Sequence, residues 1–258
     1  MKLSTIVPVY NEQRHLEEVI RFLFATPCPA EREWIFVDDC STDGSVGILR
    51  RLQKEFGFLL LEQKTNQGKG TAIRRGVQHA TGDLILIQDA DFEYDPRDIP
   101  ALIAPFADAQ IDVVYGSRFK HNAPQVHRTY HYFVNHFLTV LSNLFSGIYL
   151  TDMETCYKVF RADLLKSMNL TSKRFGFEIE VTAFIAKTSA RIFEIGIHYY
   201  PRTYIQGKKI SWKDGVAALF HLVHYNFFVS REKAFKQLPV RYSPEAPRLL
   251  RPSSSVTP

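Results

Sequence analysis

Apolar residues in the first half of the chain come in short runs separated by helically spaced ones. Leu3 to Val9 is such a run, and Leu16, Val19, Ile20 and Leu23 then repeat at the spacing of one helix face. Trp34 to Val37 predicts a second strand, followed by Ser41 as a candidate helix cap and by Val46, Leu49, Leu52 and Phe56 at helical spacing. Phe58 to Leu61 predicts a third strand, and a Gly68-Lys69-Gly70 turn opens a third helix near Thr71. Leu84 to Ile87, behind a Thr81-Gly82 turn signal, predicts a fourth strand, buried on both faces. Strands and helices alternating over short connections imply right-handed crossovers and a mostly parallel sheet with helices on both faces, a Rossmann-like α/β arrangement.

The pattern loosens after residue 118. Val113-Val114-Tyr115 predicts a fifth strand, Phe133 to Leu150 an aromatic-rich helix, Tyr157 to Phe160 a short strand and Glu178 to Ala186 another helix. Arg191 to Tyr200 reads as a strand of mixed pattern and Lys213 to Val229 as a final amphipathic helix, so the second half adds surface helices to the sheet. Five prolines and a Ser253-Ser254-Ser255 run follow Leu238, too little apolar content to offset ordering entropy. The expected organisation is one domain over 1–238, in halves 1–118 and 119–238, with a disordered tail over 239–258.

Composition narrows the partners. The chain has 258 residues, 45% hydrophobic and 23% charged, the balance of an ordinary globular protein. A net charge of +5 is too mild to mark a nucleic-acid binder, yet it favours an anionic membrane surface or phosphate-bearing substrates. Cys28, Cys40 and Cys156 lack metal-ligand spacing and fit reduced residues of a cytoplasmic protein. Strand-like sequence begins at Leu3 with no basic-then-apolar leader, which predicts no signal peptide. From Thr129 to Thr151 there is no Asp, Glu, Lys or Arg, but His131, Asn135, His136, Ser142, Asn143 and Ser146 interrupt the stretch. That pattern predicts an interfacial, acceptor-facing or buried helix in preference to a membrane span.

Candidate chemistry falls at the carboxyl ends of the predicted strands, where open α/β sheets bind ligands. Strand one ends in Pro8-Val9-Tyr10-Asn11-Glu12, strand two in Asp38-Asp39-Cys40, and strand three leads to Asn66-Gln67-Gly68-Lys69-Gly70. Strand four runs into Asp89-Ala90-Asp91-Phe92-Glu93 and strand five into Gly116-Ser117-Arg118. Carboxylates at i and i+2 of an extended chain point the same way, and a pair of hard oxygen donors suits Mg²⁺ or Mn²⁺ bridging to phosphates better than Zn²⁺. An isolated Asp-x-Asp is more often a solvated acidic turn; five such ends on one edge argue for a ligand. Asp39 can accept hydrogen bonds from a base or ribose, Tyr10 offers a flat face, and Lys69 adds positive charge on a glycine turn that permits close approach.

In this order the motifs resemble family 2 glycosyltransferases of the GT-A fold over about the first 120 residues. Thr151-Asp152-Met153-Glu154-Thr155-Cys156-Tyr157-Lys158, Phe175-Gly176-Phe177-Glu178-Ile179-Glu180 and Pro201-Arg202-Thr203-Tyr204 with Gly207-Lys208-Lys209-Ile210 resemble the polyprenyl-phosphate branch, which is similar to dolichyl-phosphate mannose synthase. Cys156 stands where glycine is common, and Glu93 where glutamine is. The resemblance implies inverting transfer of a hexose from a UDP- or GDP-linked sugar to a polyprenyl phosphate, by a protein held at the cytoplasmic face of a membrane. It implies that Pro8, Tyr10, Glu12 and Asp39 frame the nucleoside, with Lys69, Asp89, Ala90, Arg202 and Lys208 also lining the nucleotide site. Asp89, Asp91 and Glu93 would hold Mg²⁺ or Mn²⁺, and Asp91, Arg118, Asp152, Glu180 and Arg202 are the catalytic candidates. Membrane contact would fall on Phe137, Leu141 and Phe145 or on Phe220, Phe227 and Phe228. Rival readings are a family 2 transferase with a soluble or polymeric acceptor and a silent nucleotide-sugar-binding module. A nucleotidyltransferase fits less well, because Tyr10-Asn11-Glu12 stands where a glycine-rich basic loop would be expected.

Overall fold

A computed structural model describes residues 1–120, 129–174, 176–201 and 212–245. The strands are β1 (Lys2–Val9), β2 (Glu31–Asp38), β3 (Leu59–Glu62), β4 (Leu84–Ile87), β5 (Val113–Ser117), β6 (Lys158–Arg161) and β7 (Ile192–Gly196). The helices are α1 (Leu16–Ala25), α2 (Ser45–Phe56), α3 (Lys69–His79), α4 (Ile99–Ile103), α5 (Thr129–Ser146), α6 (Ala162–Ser167), α7 (Phe177–Ile185), α8 (Trp212–Val223) and α9 (Arg231–Ala234). The strands form one seven-stranded sheet in the order β3-β2-β1-β4-β6-β5-β7. Every pairing is parallel except those of β6, which runs antiparallel between β4 and β5. The carboxyl ends of the other strands and the amino end of β6 therefore share one edge.

Alternation along β2 divides the core into two layers. Trp34 and Phe36 join Leu16, Ile20, Leu49 and Leu52 of α1 and α2 on one face, whereas Ile35 and Val37 join Ala72, Ile73 and Val77 of α3 on the other. Helices thus cover both faces, as the pattern predicted. The second half contributes α7, whose side chains are buried all round, including Glu178, Glu180 and Thr182.

Three expectations need correcting. Ser41 does not cap α2, which begins behind Gly44; the Ser41 hydroxyl instead accepts the Asn11 N–H at 3.0 Å. On α5, Leu141 and Phe145 pack partly against the core, while Phe133, Phe137, Val140 and Leu144 form the exposed stripe, with Leu144 72% exposed. The chain also packs beyond residue 239: Tyr242 is wholly buried, its hydroxyl donating to Asp163 at 2.8 Å and its carbonyl accepting the Ser189 N–H at 2.9 Å. The anchoring aromatic sits among prolines, where no periodicity announces it, and 246–258 lie outside the described residues. Among the described residues no helix is long and apolar enough to cross a membrane.

Candidate functional site

The chain leaves β1 and β2 through left-handed backbone at non-glycine residues, Asn11 at φ 51° and Cys40 at φ 61°. Such conformations persist only where neighbours brace them. Here the Thr42 N–H donates to Asn11 Oδ1 at 2.8 Å and the Glu12 N–H to Ser45 Oγ at 2.9 Å. Pro8 lies within β1 opposite Val37, and Tyr10 stands partly exposed just past the strand. Buried Asp39 accepts from Gln63 Nε2 at 2.5 Å and from the backbone N–H groups of Gln67 and Gly68 at 2.8 and 2.7 Å. It therefore pins the loop that opens α3. Gly68, at φ +90°, is needed because the Lys173 carbonyl lies where a Cβ would stand. The close approach anticipated for a ligand at this turn is made, in the structure, by the Thr171–Arg174 segment.

Strand β4 ends at Ile87, so Asp89 and Asp91 lie in the loop beyond it and the two-residue alternation does not reach them. Lys69 Nζ sits 2.8 Å from Asp89 Oδ1 and 3.1 Å from Glu178 Oε1. Burial opposes its charge, but Asp89, Cys156 and Glu178 hold the Lys69 ammonium well above the usual lysine range. Asp91 Oδ1 accepts the Glu93 N–H at 2.9 Å, and Glu93 Oε2 accepts the Tyr199 hydroxyl at 2.9 Å. Ala90 is buried against the α1–α2 layer. Among the described residues no three acidic, histidine or cysteine side chains converge on one ion position. The donors nevertheless fit a hard divalent cation, since they are all carboxylate oxygens and one already faces a cation, the Lys69 ammonium.

Opposite them, at the end of β5, Arg118 makes a two-pronged pair with wholly buried Asp152, Nε to Oδ2 at 2.7 Å and Nη2 to Oδ1 at 2.8 Å. The Arg118 guanidinium also lies 5.1 Å from the centre of the Tyr199 ring. Glu194 of β7 holds the segment carrying Asp152: it accepts from the Thr151 N–H at 2.9 Å, the Asp152 N–H at 3.2 Å and Lys120 Nζ at 3.0 Å. The sequence signal for Glu194, absent from the candidates above, is a lone acid in the apolar run of β7. Behind the pair, burial together with nearby Glu178 pushes the Glu154 carboxyl up to about 7, and burial pushes the Lys158 ammonium down to about 8. Cys156 packs as a small buried residue, with its sulfur 3.6 Å from Lys69 Nζ.

Glu180 takes a different position from the one its motif suggested. It is wholly buried and accepts the Thr171 and Ser172 N–H groups at 2.7 and 3.0 Å, fastening the loop ahead of α7. Arg202 and Lys208 lie outside the described residues. The structure thus brings Tyr10, Asp39, Lys69, Asp89, Asp91, Glu93, Arg118 and Asp152 to one sheet edge, and draws Glu180 aside.

A mostly parallel sheet, wound on both faces and with acids and a paired arginine along its carboxyl edge, defines a GT-A fold of the nucleotide-sugar-dependent glycosyltransferases. The chain belongs to glycosyl transferase family 2, whose model matches residues 4–168. It is 26% identical over 215 residues to the dodecaprenyl-phosphate galacturonate synthase of Rhizobium johnstonii, covering 78% of this chain and 60% of that protein's length. An uncharacterized protein of Methanocaldococcus jannaschii is 28% identical over 226 residues, covering 81% of this chain and 94% of its own. Among solved structures, glucosyl-3-phosphoglycerate synthase from Mycobacterium tuberculosis, in complex with Mn²⁺, UDP and glucosyl-3-phosphoglycerate, superposes with a TM-score of 0.65 at 17% identity, over 87% of this chain and 80% of that one. S. aureus TarS 1–349 with UDP-GlcNAc gives 0.58 at 21% identity, over 87% and 66%.

Proposed function

We propose that this protein transfers a hexose, with inversion, from a UDP- or GDP-linked sugar to a polyprenyl phosphate at the cytoplasmic face of a membrane. The observation that carries this reading is that one sheet edge holds both the Asp89-Ala90-Asp91 acids, with Asp89 on Lys69, and the Asp152-braced Arg118. For the lipid acceptor, support comes from the similarity to the Rhizobium synthase and from the exposed apolar residues of α5 and α8, among them Phe137, Leu144 and Phe220. In this reading the chain acts as one domain that runs through Tyr242, with the donor bound by 1–118 and the acceptor by the half that begins at 119.

Pro8, Tyr10, Glu12 and Asp39 frame the base and ribose. Asp89, Asp91 and Glu93 are the residues that would hold Mg²⁺ or Mn²⁺, which when bound neutralises charge on the leaving diphosphate. Lys69 is poised to shift from Asp89 toward phosphate. Arg118, held in a two-pronged pair by Asp152, would face the reacting phosphates, and Arg202 and Lys208, outside the described residues, would be further cations. A phosphate acceptor is already anionic near neutral pH, so no strong general base is required; positioning and charge complementarity lower the barrier. Glu180 acts indirectly, by fixing the loop against α3.

The test is transfer by purified protein given Mn²⁺, a panel of UDP- and GDP-sugars and polyprenyl phosphate in detergent. Sugar-lipid should form, and Asp91→Ala should reduce its rate about 10³-fold with folding intact. Transfer confined to a soluble acceptor would overturn the lipid assignment while leaving the donor site standing.

A further inference from the structure

A cavity of about 390 Å³, lined by none of the candidate metal-binding acids, lies between the Thr171–Arg174 segment and one face of α8. Its walls are Thr171, Ser172, Lys173, Arg174 and Gly176 on one side and Ala217, His221 and Tyr225 on the other. The last three are spaced by four, so they form one stripe of α8 and its continuation. Gly176 is necessary to this shape, since a Cβ there would come within 2.9 Å of the His221 ring.

The polarity of the walls is one-sided. The carbonyls of Ser172, Lys173 and Arg174 turn toward α3, where they accept from Arg74 Nη1 at 2.5 Å, the Thr71 N–H at 3.3 Å and the Gly70 N–H at 3.2 Å. Glu180, beneath the loop, is engaged by the Thr171 and Ser172 N–H groups and the Thr171 hydroxyl. The walls are mainly apolar, and their polar groups are therefore chiefly donors: two basic side chains and the His221 ring, with the Ser172 hydroxyl buried behind them. Ser172 is 5% exposed and its Oγ, like His221 Nδ1, is buried without a hydrogen-bond partner. A buried hydroxyl left unpaired beside two cations marks a place built for an acceptor-rich ligand.

We infer that this cavity binds a phosphate ester, specifically the headgroup of an anionic membrane lipid distinct from the acceptor. The commitment to a lipid rests on what adjoins the cavity: α8 exposes Val216, Leu219, Phe220 and Val223, and Phe227 and Phe228 follow, so cationic donors sit beside an apolar ridge. The inference requires neither the donor nor the acceptor assigned above.

Full-length protein is titrated with vesicles of phosphatidylcholine alone and of phosphatidylcholine mixed equally with phosphatidylglycerol. Two basic side chains at an anionic surface predict about 30-fold tighter binding to the mixed vesicles. Lys173→Gln with Arg174→Gln should abolish that preference. Ala217→Phe, which fills the cavity and leaves every charge in place, should reduce it at least several-fold, as should Ser172→Ala. Melting temperature and Mn²⁺-dependent UDP or GDP binding report that the variants remain folded. Loss of the preference in the charge variant alone, with Ala217→Phe behaving as wild type, would overturn the pocket in favour of diffuse charge. Inorganic phosphate that shifts the His221 resonances while vesicle binding ignores the cavity would overturn the lipid in favour of a soluble ligand.

Discussion

The two edges of the sheet are built on opposite principles. At the amino edge a closed network joins the polar groups: Thr81 donates through its N–H and hydroxyl to Glu33 at 2.8 and 2.6 Å, Ser4 donates to the same carboxylate, and the Gly82 N–H donates to Ser4 Oγ at 2.8 Å. At the carboxyl edge Asp38 Oδ1, Glu154 Oε1, Thr155 Oγ1 and Glu178 Oε2 are buried without partners, and both left-handed non-glycine residues stand there. Buried groups are left unpaired, and backbone is held in costly conformations, where a ligand is to complete the set. One edge serves the fold; in the function proposed above, the other gives up stability for binding.

The largest expected effect lies at the carboxyl edge. Asp152→Ala strands the buried Arg118 guanidinium, and loss of one partner of a buried pair costs about 3–5 kcal/mol, measurable by urea unfolding. A loss no larger than that of a surface pair would mean the arginine is not held as the structure has it. Next come the opposed pH responses of the two edges. The folded-state carboxyl of Glu154 is raised from 4.5 to about 7 by burial and by nearby Glu178, so its stabilisation is complete below pH 4.5 and is lost as pH rises through 7. Glu154→Gln should flatten the stability profile over that interval and leave the acid limb unchanged.

Glu33 answers in the other direction. Burial works against its charge, but hydrogen bonds from Ser4 and Thr81 outweigh it and hold the carboxyl down at about 2. Its stabilisation is present above pH 4.5 and is lost as pH falls toward 2. Glu33→Gln should cost about 1–3 kcal/mol at neutral pH, remove that acid limb and leave turnover per folded molecule unchanged. If Glu33→Gln instead lowered turnover as Asp91→Ala does, the division of labour between the edges would fail.

Most of the first half was legible because its strands are short apolar runs and its helices carry one-sided periodicity: β1 to β4 and α1 to α3 fall within a few residues of their predicted positions. The candidate acids were legible for the same reason, since a strand's end is a sequence-local fact. What escaped is what depends on distant pairing. The antiparallel insertion of β6 between β4 and β5 joins Leu86 to Val159, and nothing local to either residue announces it. Lys69 shared between Asp89 and Glu178, and Glu194 holding Asp152, are likewise contacts made across the fold. The stripe of α5 was misplaced because all of its faces carry aromatic or aliphatic residues, so periodicity could not say whether Leu141 or Leu144 faces outward.

The central claim is that the carboxyl edge is left incomplete for a metal-bound nucleotide. Calorimetric titration of UDP and GDP into the wild type and Asp91→Ala, each with Mn²⁺ and with chelator, tests it most directly. The account predicts that one of the two nucleotides binds the wild type at least about tenfold more tightly with Mn²⁺ than with chelator. It also predicts that Asp91→Ala erases this difference without lowering the melting temperature of the unliganded protein. Nucleotide binding indifferent to both Mn²⁺ and Asp91, or a variant that loses binding only because it unfolds, would contradict it.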